Sequence, residues 1–408
     1  MCTFFENKVY NILDNVETEL NLNEVISMSQ GMYVKEIYSA LESYIRKNKK
    51  NKKIAQKVFL EMSLPFNYKK YVEIINKSKY LPIPHILDSD WRFTVESAKY
   101  LVDTINNNIS KGKVNLVLIG TPSLFLMLNS DYSNNNLNTL LIEKNDIKYF
   151  NNINYNIITN DVSKVTLEDY ADVIVCDPPW YMDVITKFIE SAQKMLRINS
   201  KLILVVPPEG VREGIQEEYK KIICKAEELG FKYCSFIKET VSYVSPPFEV
   251  KALEVKNITN YPIDWRKGSL MIFEKKDNKV IDNIESNQKT HTIWKEAVIS
   301  NVRFKVKCEK IDQKENIYHL IENDIYPTVS MRNDLCNSVN VWTSGNRIYS
   351  CNDTFLFYRI INQISKIGKL TDKYLDEIDG NLDEKRDYYN LIAHIVNVER
   401  EEYAKIWD

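Results

Sequence analysis

The chain has 408 residues, 44% of them hydrophobic and 27% charged, which is more than one domain usually holds and excludes a wholly disordered polypeptide. Lys and Arg total 54 against 56 Asp and Glu, a formal net charge of −2, so the molecule as a whole is not a polycation that coats nucleic acid without selectivity. Seven cysteines without CxxC spacing fit a reducing compartment. Four histidines outside any HExxH or Cys/His cluster predict no metal site. The start MCTFFENKVY has no basic segment followed by an apolar run, and the longest apolar segments are strand-sized. No membrane span is predicted, and the cytoplasm is the expected location.

Residues 1–85 read as a small helical or winged-helix domain. Leu20 to Ile26 and Val34 to Ile45 carry apolar residues at three- and four-residue spacing. The run Arg46 to Lys53 then places six basic residues in eight positions. It reads either as a solvated helix end or as a patch in which Lys49, Lys50 and their neighbours meet phosphates. Helical character resumes over 54–80, and Tyr80-Leu81-Pro82-Ile83-Pro84-His85 is an extended link because two prolines restrict it. His85 lies near no nucleophile and reads as structural.

Residues 86–275 change character. Thr94 is the expected N-cap of a helix reaching about Ile109, with Val95, Ala98, Leu101, Val102 and Ile105 on one face. Val114–Ile119 is a buried-strand run ending at Gly120-Thr121-Pro122-Ser123, with a short helix over Leu124–Leu128. Further strands are expected at Asn138–Ile142, ending in Glu143; at Tyr155–Thr159, followed by Asn160-Asp161; and at Asp172–Cys176, ending in Asp177-Pro178-Pro179-Trp180-Tyr181. A helix with Ile185, Phe188, Ile189, Ala192 and Leu196 on one side leads to a strand at Lys201–Val206. A helix from about Ile215 to Leu229 closes at Gly230, and Tyr233–Val244 and Ser269–Glu274 form a last strand pair. Near-continuously apolar strands alternating with amphipathic helices predict an α/β, doubly wound, mostly parallel sheet. Its ligands are expected beyond the C-terminal strand ends.

A polar linker is expected over 276–290, then an α+β accessory region over 291–408. Asn301–Cys308 alternates, so Arg303, Lys305 and Lys307 are expected on an exposed basic face that meets a nucleic-acid substrate. The tail from Asp353 is charged and helical with an apolar face, and offers a surface for a protein partner.

The strongest chemical signal is Asp177-Pro178-Pro179-Trp180-Tyr181 at a strand end. An amine attached to a ring has its lone pair delocalised and attacks a methyl donor poorly until that pair is recovered. The Asp177 carboxylate and the Pro178 carbonyl can each accept one N–H, orienting the nitrogen as it becomes tetrahedral. Consecutive prolines fix φ twice and remove two competing donors. Trp180 or Tyr181 can stack on a planar ring. Elsewhere, Gly120 permits close backbone approach, and Glu143, 23 residues further on, stands where an acid meets ribose hydroxyls in Rossmann-like sites. Asp161 is a further acid, following the third strand at the same edge. Asp90 and Trp91 either cover the cofactor or pack the domain junction. Ser245-Pro246-Pro247-Phe248-Glu249 is a second Pro-Pro-aromatic loop, in which Pro247 and Phe248 either line the substrate pocket or form a rigid hairpin connection.

The Asp177–Trp180 motif and the order of elements over about 110–275 resemble the amino-methylating branch of the Rossmann-like S-adenosylmethionine-dependent methyltransferases. The resemblance implies an N-methyltransferase acting on an amino group, adenine N6 in DNA or RNA foremost. Cofactor-binding residues would be Gly120, Thr121, Pro122, Glu143, Asp161, Asp90 and Trp91, and Asp177, Pro178, Pro179, Trp180 and Tyr181 would form the reaction centre. The pattern departs from that branch in its first loop, which has one glycine where a glycine-rich sequence is usual. The catalytic domain of branched-chain polyamine synthases is also similar and implies aminopropyl transfer from decarboxylated S-adenosylmethionine. Its first loop is rich in acids, however, and Gly120-Thr121-Pro122-Ser123 is uncharged. An inactive interaction protein that keeps the fold is the third reading.

Overall fold

The computed structural model describes residues 2–65, 81–109, 112–130, 136–145, 156–278 and 293–407. The first segment holds four helices: α1 (Phe4–Asp14), α2 (Leu22–Met28), α3 (Val34–Arg46) and α4 (Lys52–Glu61). Thr3 with Glu6 and Asn21 with Glu24 form capping boxes that fix where α1 and α2 begin. Val9, Leu13, Val25, Ile37, Leu41 and Val58 face inward and share a core with Leu253, Ile258 and Trp265 from much later in the chain. Among the described residues of this segment the elements are helices and no strand occurs. The expected helical stretch 66–80 lies outside the described residues. The basic run forms the α3–α4 turn. There Lys49 lies 4.4 Å from the Tyr10 ring centroid and 3.9 Å from Asp14, while Lys50 is exposed.

The sheet of the middle block contains β1 (Arg92–Phe93), β2 (Val114–Ile119), β3 (Leu137–Glu143), β4 (Ile157–Thr159), β5 (Ala171–Cys176), β6 (Leu196–Val206), β7 (Phe231–Val244) and β8 (Arg266–Lys275). Its order is β1-β7-β8-β6-β5-β2-β3-β4. The β4-β3-β2-β5-β6 portion is parallel, and β8 runs antiparallel between β6 and β7. The helices are α5 (Val95–Asn108), α6 (Pro122–Ser130), α7 (Met182–Met195) and α8 (Ile215–Glu228). Alternation along β2 explains the layering. Leu116 and Leu118 pack with Leu101 and Ile105 of α5 and Phe125 of α6, while Val117 and Ile119 share the opposite core with Ile189 of α7 and Ile222 of α8. This is a doubly wound, mostly parallel Rossmann-like sheet, as its apolar runs predict. Leu196 is a correction: it adopts an extended backbone (ψ 141°) at the end of α7 and opens β6 instead of extending the helix face.

A short helix, α9 (Pro247–Glu254), separates β7 from β8, so the second Pro-Pro loop starts a helix and is not a hairpin. The C-terminal region is an antiparallel sheet ordered β11-β13-β12-β10-β9, formed by β9 (Trp294–Ile299), β10 (Val302–Lys307), β11 (Ile317–His319), β12 (Val341–Thr343) and β13 (Ile348–Cys351). Helices α10 (Thr354–Ile367) and α11 (Leu382–Trp407) cover it through Phe357, Ile361, Ile392 and Ile395.

Here the expectation of a basic face is overturned. The linker 82–88 covers the side of β10 opposite the helices. Arg303 donates to the Ile83 carbonyl at 2.6 Å, to Asp88 at 2.6 Å and to Glu296 at 2.8 Å. Lys305 is also buried against Asp88, and Lys307 pairs with Glu309 at 2.6 Å. The alternation is real, but both faces are covered, and the cations neutralise acids of their own chain. His85 joins the same seam. It is fully buried, donates through Nε2 to the Trp342 carbonyl at 3.2 Å, and accepts from the Leu87 amide. Burial and the nearby Lys305 hold its pKa well below the usual range, so the ring is neutral and structural.

Candidate active site

The parallel strands bring their C-terminal ends to one edge, and the site grows from what each strand releases there. β2 releases Gly120, whose φ of +67° suits glycine and whose missing Cβ would stand 3.2 Å from the Asp177 carbonyl oxygen. The next residue, Thr121, is buried, and its hydroxyl has no hydrogen-bond partner among the described residues. β3 ends in Glu143. Burial pushes its carboxyl up to about 7 against a hydrogen bond from the Asn145 amide, and Asp90 and Asp88 add like-charge repulsion. Glu143 and Asp90, far apart in sequence, thus feel one another across the strand ends.

β4 leads to Asp161, which caps a single turn by accepting from the Ser163 amide at 3.0 Å and hydroxyl at 2.6 Å. Burial raises its pKa, but these bonds win and the carboxyl sits below its ordinary value. Asp161 is therefore engaged in its own turn. Pro122 opens α6 immediately beside Thr121.

β5 releases Asp177. Its amide donates to the Ile119 carbonyl at 3.1 Å, locking the Pro-Pro loop to the end of β2. The Tyr243 hydroxyl donates to Asp177 Oδ1 at 2.8 Å. Burial pushes the Asp177 carboxyl up to about 7, while the Tyr243 bond and the positive charge of Arg266 restrain the rise. The loop is braced further along: Tyr181 donates its amide to the Pro179 carbonyl at 2.7 Å, and Arg212 donates to the Trp180 carbonyl at 3.1 Å. Arg332, from the C-terminal region, lies 5.2 Å from the Tyr181 ring centroid.

Trp180 does not present a bare inner face. The Arg266 guanidinium carbon lies 4.5 Å from its ring centroid and 4.3 Å from that of Trp91. Trp91 meets Phe248 edge-on at 4.9 Å, and the Phe248 carbonyl accepts from Asn346 at 3.1 Å. Asp90 pairs with Arg92 at 2.8 Å. The structure thus gathers Gly120, Thr121, Pro122, Glu143, Asp90, Trp91, Asp177, Pro178, Pro179, Trp180, Pro247 and Phe248 around one edge. Arg303 and Lys305 are buried at the C-terminal seam. Lys307 belongs to the same strand, while Lys49 and Lys50 lie on the α3–α4 turn. Sequence reasoning missed Tyr243 and Arg266. Tyr243 shares the inward face of β7 with Val241, a period-two signal within the expected strand. Arg266 lies ahead of the expected start of its strand and carried no signal.

The cradle at Gly120, the unpartnered Thr121 hydroxyl and the acid closing β3 fit S-adenosylmethionine. A backbone close approach, a hydroxyl donor and a carboxylate acceptor are what a methionine end and a ribose require. Residues 88–261 match a family model described as probable N6-adenine methyltransferase, somewhat under half of the chain. Among curated proteins, none matches. Of solved structures, a branched-chain polyamine synthase mutein from Thermus thermophilus is 10% identical, with 68% of this chain and 88% of that one covered at a TM-score of 0.50. A putative RNA methyltransferase from Pyrococcus horikoshii is 11% identical, covering 52% of this chain and all (100%) of that one at a TM-score of 0.34. An N-methyltransferase from Bradyrhizobium japonicum, solved with S-adenosyl-L-homocysteine, is 12% identical over 44% of this chain and 87% of that one, with a TM-score of 0.30. At such identities the likeness is one of fold. The family match runs from the seam at Asp88 to the turn before β8, over the sheet and the candidate site, and it supports S-adenosylmethionine-dependent methyl transfer on this Rossmann-like fold.

Proposed function

We propose that residues 86–275 methylate an exocyclic amino group, with adenine N6 of a nucleic acid as the acceptor. The observation that carries this reading is Asp177, enclosed at the end of β5 and held through one oxygen by Tyr243. That bond fixes the carboxylate's rotation and leaves its second oxygen to receive an N–H of the acceptor. The Pro178 carbonyl takes the other N–H, so the nitrogen lone pair is directed along one line. Bound S-adenosylmethionine would supply an electrophilic methyl on a sulfonium, for which a neutral thioether is the leaving group. The nitrogen's surplus proton leaves toward Asp177 and solvent. Gly120, Thr121 and Glu143 hold the cofactor in this reading, and Trp180 gives the acceptor the ring face turned away from Arg266. The family description supports adenine as the acceptor. With Arg303 and Lys305 sequestered, phosphate contacts fall to Lys50 and its neighbours on the α3–α4 turn. The C-terminal sheet is left as a scaffold or protein-binding surface.

The test is transfer of labelled methyl from S-adenosylmethionine to single-stranded DNA, single-stranded RNA and a panel of protein substrates. Label on adenine N6 is the expected result. Label confined to another amine would replace the acceptor, and no transfer to any amine would overturn the reading. Glu143→Gln is expected to weaken S-adenosylmethionine binding about 10- to 100-fold by calorimetry, because it exchanges a charged hydrogen-bond acceptor for a neutral one.

Aminopropyl transfer is the second reading. The fold likeness to the polyamine synthase spans 68% of the chain, more than the sheet alone, and that enzyme was solved with N4-aminopropylspermidine and 5′-methylthioadenosine. The uncharged loop at Gly120–Ser123 disfavours a polycation. Decarboxylated S-adenosylmethionine offered beside the intact cofactor separates the two chemistries.

A further inference from the structure

Arg266 opens β8, and its guanidinium is held between two indoles at 4.3 and 4.5 Å. A planar, delocalised cation between aromatic faces gains cation–π attraction and keeps little freedom to move. Its Nη1 lies 4.0 Å from Oε1 of Glu249, a residue with no exposed surface in the first turn of α9. Trp91, Trp265 and Ser245 face the same carboxylate. Tyr33, at the start of α3, packs 5.6 Å from Trp265 and senses both Glu249 and Arg266. One of the two indoles, Trp180, belongs to the loop that Asp177 begins. The guanidinium therefore grips the reaction loop on one side and a second buried carboxylate on the other.

We propose that Arg266 is a positioning residue of the transfer reaction: packed against Trp91 and Trp180 and paired with Glu249, it holds the reaction loop in place and sets a positive charge beside the reaction centre. The proposal rests on Asp177 being the amine's partner. Only an ionised Asp177 offers its free oxygen purely as an acceptor, and a carboxylate enclosed in this way tends to hold its proton. The groups facing Asp177 are Tyr243 from β7, which hydrogen-bonds to it, and Arg266 from β8, which supplies positive charge. The groups facing Arg266 are Glu249 from α9, Tyr33 from α3 and Tyr243 from β7. Glu249 competes with Asp177 for the cation, so the two carboxylates are set against each other through one arginine. The guanidinium also fills the slot between the indoles, so the acceptor approaches Trp180 from its other side.

The experiment is titration of Asp177 by carbon NMR of aspartate-labelled protein, with the resonance assigned from Asp177→Asn. It is run on the wild type, Arg266→Met, Arg266→Lys and Glu249→Gln, each checked for fold by circular dichroism and for binding of S-adenosylhomocysteine. Arg266→Met is expected to move the Asp177 midpoint up by about 1 pH unit or more. Arg266→Lys should hold the midpoint near the wild type while raising KM for the methyl acceptor, because charge is kept and the plane is lost. Glu249→Gln should move the midpoint down by releasing the cation to Asp177. An unchanged midpoint in Arg266→Met, or in Glu249→Gln should the methionine variant not fold, overturns the proposal. The titration needs no turnover. A protein that methylates no amine yet shows these shifts would therefore sink the functional reading and leave the electrostatic role of Arg266 standing.

Discussion

Asp177→Ala is expected to slow single-turnover methyl transfer by about 10²- to 10³-fold, the usual cost of removing one preorganised contact to charge that develops in the transition state. The lost bond is strongest while the nitrogen becomes tetrahedral, so the loss belongs to the rate and not to the affinity for S-adenosylmethionine. Asp177→Asn should lose nearly as much, because Tyr243 then donates to an amide oxygen and an N–H faces the amine. The wild type should show the matching pH dependence. With its carboxyl pushed up to about 7 by burial, Asp177 is protonated below that value, and transfer rises as pH climbs through it. Near-normal transfer by a folded Asp177→Ala protein would remove the residue from the reaction. The same shift has a stability sign. The folded state holds a proton that the unfolded chain releases near pH 4, so this group's contribution to stability falls between about pH 4 and 7.

The Asp177 loop and the strands around it were legible because their signals are local. Val114–Ile119 is apolar at every position but Asn115, and Asp-Pro-Pro stops a strand whatever surrounds it. Thr94 was legible as a cap for the same reason: its hydroxyl meets the Ser97 amide three residues on, at 3.1 Å. The failures are non-local. Alternation in Val302–Lys307 says which residues share a face but not what covers it, and Asp88, more than 200 residues away, decides that Arg303 is buried. Arg266 acquires meaning only from Trp91 and Trp180, each brought to it by a different part of the sheet.

Arg303→Ala is expected to destabilise the protein by about 3–5 kcal/mol, because removing one partner leaves Asp88 and the Ile83 carbonyl buried with fewer partners. Lys305 still reaches Asp88, which places the result toward the lower end. A denaturant melt measures the loss, and limited proteolysis should show the first cuts in the seam at 82–90 as the C-terminal sheet loosens from its support. Arg303→Ala with Asp88→Asn should recover part of the loss, since the unpaired charge is then gone. A melt unchanged by Arg303→Ala would mean the seam carries little of the stability. Affinity for nucleic acid should not respond selectively to either change.

The place of β8 between β6 and β7 has a consequence for how the molecule forms. During synthesis β2 to β6 can assemble as each strand emerges, because their neighbours are close in sequence. The sheet cannot close until residue 275 has been made, since the last strand must insert between two already present, and β1 finds its partner only when β7 arrives some 150 residues later. Such non-local pairing carries a large loop-closure cost and folds slowly. Asp177 is therefore synthesised well before Tyr243 and Arg266, and it stays without either partner until the final strands dock. A nascent chain halted before β7 would hold the parallel part of the sheet, with Asp177 lacking both Tyr243 and Arg266.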